Sequence, residues 1–228
     1  MQQFDVRDLV FSSSCTVYGQ PDKLPVTEET PRKPAASPYG YTKQICESII
    51  EDAVRAELPL RTVVLRYFNP IGAHPSSHIG ELPLGPPENL VPVITQSAAG
   101  LRDQVTVFGN DFETDDGFSV RDYIHVVDLA IAHVKSLQWF GAQDSAPMRE
   151  VFNLGAGRGS SVLEVIAAFE EASGMSLNYR VGERRPGDIE KIYANVDKAE
   201  RMLDWKVERS MEEAMRDAWN WQLALGEK

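Results

Sequence analysis

Cysteine is scarce. Cys15 and Cys46 are the whole complement among 228 residues, and neither sits in a C-x-x-C or zinc-ligand spacing. A disulfide framework and a thiolate metal centre are therefore not expected, and a reduced, cytoplasmic compartment fits. Long apolar runs are missing too, as are a signal-peptide pattern, internal repeats and low-complexity tracts, so neither a membrane span nor a solenoid is expected. Basic residues are outnumbered: 23 Lys and Arg against 34 Asp and Glu give a net charge of −11. That balance argues against nucleic acid or a membrane surface as a partner. It leaves an anionic small ligand open, because local arginines decide that matter. What is present is 43% apolar residues, enough to build the core of one large or two small domains.

The stretch with the most chemistry is Ser37-Pro38-Tyr39-Gly40-Tyr41-Thr42-Lys43. A proline followed by helical periodicity predicts a helix start, which places Tyr39 and Lys43 on one face, one turn apart. An ammonium near a phenol stabilises the phenolate. Such a tyrosine can take the proton of a sugar hydroxyl while a hydride leaves the carbon. The helix is expected to run to about Leu58-Pro59, with Ile45, Ile49, Ile50 and Val54 as its apolar face. Before it, residues 8–11 read as a buried strand that runs into Ser12-Ser13-Ser14-Cys15-Thr16-Val17-Tyr18-Gly19. After it, residues 61–68 (RTVVLRYF) read as a second strand buried on both faces. Together they predict a βαβ unit with hydroxyls at the strand ends, where open α/β sheets take their ligands.

Further along, an amphipathic helix is expected from Asn89 to about Gly100 and a strand over 105–108. A helix is expected from Asp122 to Phe140 with Val126, Leu129, Ala130, Val134 and Leu137 buried. Others are expected over 162–172, 197–203 and 211–225. Residues 155–160 (GAGRGS) follow a strand and open a helix, but Ser160 replaces the third glycine of a dinucleotide fingerprint. Ser161 and Glu164 read as a capping box, so this is a strand-to-helix turn. His74 and His78 have i, i+4 spacing in a Pro-Ser-Gly loop, which is not a metal site. His125 and His133 are read as structural, and Trp205, Trp219 and Trp221 as core and packing residues.

Seven stretches occur in an order that resembles the UDP-glucose 4-epimerases of the extended short-chain dehydrogenase/reductase superfamily: residues 12–19, 37–43, 65–81, 88–92, 107–130, 153–157 and 184–189. The resemblance implies an α/β fold: an incomplete Rossmann-like doubly wound parallel sheet plus a smaller mixed α/β substrate-binding domain. Residues 1–70 and 118–157 would form the NAD-binding part, and 71–117 with 158–228 the nucleotide-sugar part. It implies catalysis by Tyr39, Lys43, Ser14 and Thr16, and NAD contacts from Ser12, Ser14, Tyr39, Lys43, Tyr67 and Phe68. UDP-glucose or UDP-galactose would meet Ser14, Cys15, Thr16, Tyr67, Phe68, Asn69, Asn89, Leu90, Thr106, Val107, Phe108, Arg121, Arg185, Asp188 and Ile192. Phe108 would lie near the uracil and the two arginines near the diphosphate. Ile192 bears on sugar scope and leaves N-acetylhexosamines open.

Two departures accompany the resemblance. Related 4,6-dehydratases carry an Asp-Glu pair after the threonine of the serine turn, for acid/base elimination of water. Here Thr16 is followed by Val17-Tyr18, which disfavours dehydration. The family's NAD-binding G-x-x-G-x-x-G turn is not found before Ser12. The isolated chain is therefore expected to show little or no epimerase activity. The alternative reading is a truncated nucleotide-sugar-binding fragment or a half-enzyme that needs a separate N-terminal chain. A homodimer through the Tyr39 helix is the other expected association.

Overall fold

Pairing of the two strands that flank the Tyr39 helix organises the first half of the chain. The computed structural model describes residues 1–143 and 146–226. In chain order the elements are β1 (Asp8–Ser14), α1 (Pro38–Arg55), β2 (Arg61–Tyr67), β3 (Asn69–Ile71), α2 (Leu90–Ala98), β4 (Val105–Phe108), β5 (Val120–Arg121) and β6 (Tyr123–His125). There follow α3 (Val126–Phe140), β7 (Met148–Leu154), β8 (Ser160–Ser161), α4 (Val162–Ser173), β9 (Tyr179–Gly182), β10 (Lys191–Ile192), α5 (Asp197–Leu203) and α6 (Met211–Gly226). No helix of the described residues is long and apolar enough to cross a membrane.

The chain divides into two units. The first holds Met1–Phe68, Leu129–Arg158 and Ile192–Lys206; the second holds Asn69–Asp128, Gly159–Lys191 and Val207–Lys228. The division departs from the expected boundaries at 118–128, which falls in the second unit, and at 192–206, which falls in the first. Backbone bonds explain the latter: the Val26 amide donates to the Tyr193 carbonyl and the Asn195 amide to the Val26 carbonyl.

In the first unit β1, β2 and β7 form an all-parallel sheet in that order. At one end Asp8 pairs with Arg61 and Arg61 with Met148; at the other Ser14 pairs with Tyr67 and Tyr67 with Leu154. Ser12, Ser14 and Tyr67 thus share the carboxyl edge, so β1 carries three residues further into the serine cluster than the apolar run alone suggests. Helix α1 starts where the sequence indicates, because the Ser37 hydroxyl accepts from the Gly40 amide and Pro38 needs no donor at the first position. Its buried side is Gly40, Glu47 and Ile50. Ile45 and Ile49 are exposed, Ile49 by 63%, contrary to the expected apolar face. A carboxylate, Glu47, occupies the middle of the buried face instead, while Ile50 packs with Val64 and Val151.

Helix α3 begins four residues later than expected, because 123–125 pair as a strand with β3. Its buried side also differs. Of the five residues expected there only Leu129 is buried, together with Asp128, Ala132, Ser136 and Phe140, while Val126, Ala130, Val134 and Leu137 are exposed. The polar pair tolerates burial because both are satisfied. Asp128 accepts the Glu208 and Arg209 amides and the Arg209 guanidinium, and the Ser136 hydroxyl donates to the Ala132 carbonyl.

The second unit has β4 parallel to β9 and β5 antiparallel to β8. Its core joins Val91 and Ile94 of α2, Val105 and Val107 of β4, Val165 and Phe169 of α4, and Met211 and Met215 of α6. Helix α4 starts with the capping box that Ser161 and Glu164 foretell, and ends on Gly174 in the left-handed region. Gly72 has φ +84°, and a Cβ there would lie 3.1 Å from the His125 ring and 3.3 Å from the Ala214 backbone. Gly72→Ala is expected to lose about 1–3 kcal/mol, seen as a lower urea midpoint; an unchanged midpoint would contradict this packing.

His125 itself is buried. Its Nδ1 accepts from the Val127 amide, and Nε2 donates to Asp217 at 3.3 Å. Burial holds its pKa below the ordinary value, with Asp217 opposing that shift. A depressed histidine contributes stability above the unfolded value, about 6.5, that is lost as pH falls, because the unfolded chain then binds the proton the folded chain refuses. The thermal midpoint should therefore drop between pH 7 and 5.5, and His125→Gln should flatten that slope. An equal slope in both proteins would rule out this assignment.

Candidate functional site

In the first unit the carboxyl edge of the sheet gathers the predicted hydroxyls. Ser14 caps a short 3-10 turn, and its oxygen accepts from the Thr16 amide at 3.2 Å and the Thr16 hydroxyl at 3.0 Å. Tyr39 is 55% exposed one residue into α1. Gly40 beside it lets the helix lie against this turn, since a Cβ would meet the Thr16 carbonyl at 3.2 Å. The Lys43 ammonium donates to the Ser12 carbonyl at 2.8 Å and sits 5.4 Å from the Tyr39 ring centroid and 5.3 Å from that of Phe11. One ammonium is thus fixed by the serine strand on one side and set against the candidate phenol on the other. The Tyr67 hydroxyl lies 2.7 Å from the Ser12 hydroxyl and also contacts His133. Burial pushes the Tyr67 phenol up, the Ser12 bond opposes this, and the neighbouring Tyr39 adds to it. Tyr67 therefore stays a neutral hydroxyl.

Three residues expected at the site turn inward. Phe68 is buried, so its ring packs in the protein and does not line an open nicotinamide face. Cys15 is buried as the first residue of the turn, and Ile192 is 2% exposed, so the Ile192 side chain presents no bulk to open space.

Beneath the edge lies a polar network that the sequence reading did not include. Glu47, fully buried, accepts from Ser13 at 2.6 Å and from Arg66 twice, at 3.0 and 2.7 Å. Arg32 and Arg149 approach the same carboxylate at 3.5 Å. Burial pushes the Glu47 carboxyl up, but the bonds and charge of Arg66, with Ser13 and Arg149, overcome this and hold it below the usual range. Arg66 also donates to the Tyr18 hydroxyl, which donates to Asn153. Burial pushes Tyr18 up to about 12. One carboxylate thus ties α1 to β1, β2 and β7. The signal was present: Arg66 lies inside an apolar strand, and a buried guanidinium requires an anion.

The second unit holds the residues assigned to the nucleotide. Strand alternation sends Thr106 and Phe108 outward and Val107 into the core, so Val107 has only its backbone to offer a ligand. The Arg180 guanidinium donates to Thr106 at 3.2 Å. The Arg185 guanidinium stacks 4.8 Å from the exposed Phe108 ring and bonds Asp188 twice, both at 3.2 Å. Arg121 is half-buried and donates to the Val120 carbonyl at 2.9 Å. Asn89 precedes α2 and donates to Glu81 at 2.7 Å, while Leu90 opens the helix half-buried against the core. Asn69 opens β3, with its amide on the Asp122 carbonyl. An exposed aromatic under a guanidinium suits a base next to phosphate. The described residues contain no metal-ligand cluster, and His74 bonds Ser76 in its loop.

A family model described as GDP-mannose 4,6 dehydratase matches residues 2–218. The chain is 52% identical over 221 residues to UDP-glucose 4-epimerase 2 of Arabidopsis thaliana, covering 97% of this chain and 62% of that protein. It superposes on a UDP-glucose-4-epimerase from Stenotrophomonas maltophila with bound NAD and formylated UDP-arabinopyranose at TM-score 0.95 and 47% identity. That match covers all of this chain and 66% of the other. A UDP-glucose 4-epimerase from Bifidobacterium longum in complex with NAD+ and UDP gives TM-score 0.93 at 46% identity, covering 98% and 66%. The chain thus spans a little under two thirds of the length of these relatives.

Proposed function

Since the chain belongs to the family whose model is described as GDP-mannose 4,6 dehydratase, with UDP-glucose 4-epimerases among its relatives, we propose that its residues serve the interconversion of UDP-glucose and UDP-galactose through transient oxidation at C4. This is a step of galactose metabolism, which we place in the cytoplasm. The observation that carries the reading is Lys43, bonded to the Ser12 carbonyl and set 5.4 Å from the ring of an exposed Tyr39.

The carboxyl edge of a parallel sheet, bearing a phenol, an ammonium and hydroxyls, fits the nicotinamide end of NAD. Lys43, Tyr67 and Ser12 would hold that end, and bound NAD supplies the acceptor, then the donor, of the C4 hydride. The chain's own residues handle the proton and the substrate. Tyr39 takes the proton of the 4-hydroxyl and returns it, with the Lys43 charge one turn away to favour the anion. Ser14, whose oxygen already accepts from the Thr16 hydroxyl, offers its own hydroxyl proton to the 4-oxygen, and Thr16 helps position the sugar. In the second unit Phe108 and Arg185 support uracil and diphosphate binding, with Arg121, Asn89 and Thr106.

Dehydration is the reading that the family model's description raises. It needs an acid/base pair after Thr16, and Val17 and Tyr18 stand there fully buried, which favours epimerisation.

Titration calorimetry with UDP tests the nucleotide assignment on the 228-residue chain. UDP is expected to bind, and Arg185→Ala to weaken it about 10- to 100-fold. Absent binding, or binding untouched by Arg185→Ala, would overturn the assignment.

A further inference from the structure

His133 is half-buried on α3, outside every residue set assigned so far, yet its ring is fully engaged. Its Nδ1 lies 2.9 Å from the Leu129 carbonyl, and its Nε2 meets the Tyr67 hydroxyl. The Tyr67 and His133 rings are 5.5 Å apart at 57°. A carbonyl can only accept, so Nδ1 carries the proton and the neutral ring offers Nε2 as an acceptor. Tyr67 then donates its single proton to His133. The Ser12 hydroxyl, 2.7 Å from the Tyr67 oxygen, must in turn donate to Tyr67. The chain of bonds has one direction, from Ser12 through Tyr67 to His133, and His133 passes its own proton toward the Leu129 carbonyl.

Ser12 is also the residue whose carbonyl holds Lys43. We propose that His133 is a positioning residue: by fixing the Tyr67 hydroxyl as a donor it locks Ser12, and so the carbonyl that sets Lys43 against Tyr39. The importance of that placement for catalysis rests on the epimerase reading above, but the bonding pattern does not. Helix α3 thereby reports to the candidate catalytic pair through two side chains of adjacent parallel strands.

The test uses the whole chain labelled with 15N-histidine and 13C-tyrosine. His133, assigned by its loss in His133→Leu, should appear as the Nδ1–H tautomer, and Tyr67→Phe should shift its Nε2 resonance toward that of an unbonded, unprotonated nitrogen. The Tyr67 Cζ resonance should move in His133→Leu and return toward the wild-type position in His133→Gln, whose amide oxygen can accept the same proton. A folded His133→Leu chain is recognised by dispersed signals elsewhere. An Nε2–H tautomer, an Nε2 signal indifferent to Tyr67→Phe, or no recovery in His133→Gln would each overturn the proposal. The expected spectra alongside failed UDP-hexose conversion by the chain grafted in place of the segment it matches in the Bifidobacterium longum relative would sink the epimerase reading and leave the positioning assignment intact.

Discussion

Glu47→Ala should cost the first unit about 3–5 kcal/mol, one of the two largest effects expected in this protein. The reason is the company Glu47 keeps. Arg66 is 3% exposed and directs two hydrogen bonds at this carboxylate, with Arg32 and Arg149 at 3.5 Å. Removing the anion leaves a buried guanidinium without its counter-charge, which costs more than the ion pair contributes. The pairing partner of the test is therefore Glu47→Leu with Arg66→Met. If the penalty arises from the stranded charge, the double variant should recover most of the lost stability, measured by calorimetry. A double variant as unstable as Glu47→Ala would place the cost in packing. The pH dependence follows from the depressed Glu47 carboxyl: its contribution is present above the ordinary glutamate value and is lost as pH falls through the folded value.

Tyr39→Phe should reduce turnover about 10²–10⁴-fold, the range for loss of a positioned acid/base group, while leaving UDP affinity unchanged. The measurement calls for the chain grafted in place of the segment it matches in the Bifidobacterium longum relative, since it spans 66% of that protein. The hydroxyl contributes no backbone cap, because α1 begins on Ser37 and Pro38, so its removal should leave the helix standing. Lys43→Met should fall less steeply in turnover and also release the Ser12 carbonyl. Turnover that survives Tyr39→Phe would move the acid/base role to another residue.

The parts legible in the sequence were those with local causes. Ser37-Pro38 marked the start of α1, Ser161 and Glu164 marked that of α4, and residues 105–108 form the short strand read there. Apolar periodicity failed where polar groups were buried and satisfied. Glu47 displaced Ile45 and Ile49 from the buried face of α1, and Asp128 with Ser136 did the same to Val134 and Leu137 on α3. Such groups are recognised only through partners distant in sequence, as Glu47 is from Ser13 and Tyr67 from His133. The candidate site divides the same way. The Tyr39 and Lys43 spacing is a property of one helix. The bond that places Lys43 comes from Ser12, 31 residues away, and depends on how α1 packs on the sheet.

The central claim is that C4 is oxidised and reduced while Tyr39 handles only the hydroxyl proton. Its most direct test is UDP-galactose deuterated at C4, converted by the grafted protein in ordinary water. Hydride removal and return predict that the deuterium remains at C4 of the UDP-glucose formed. Replacement of that deuterium by solvent hydrogen would mean that C4 loses a proton, and would contradict the account.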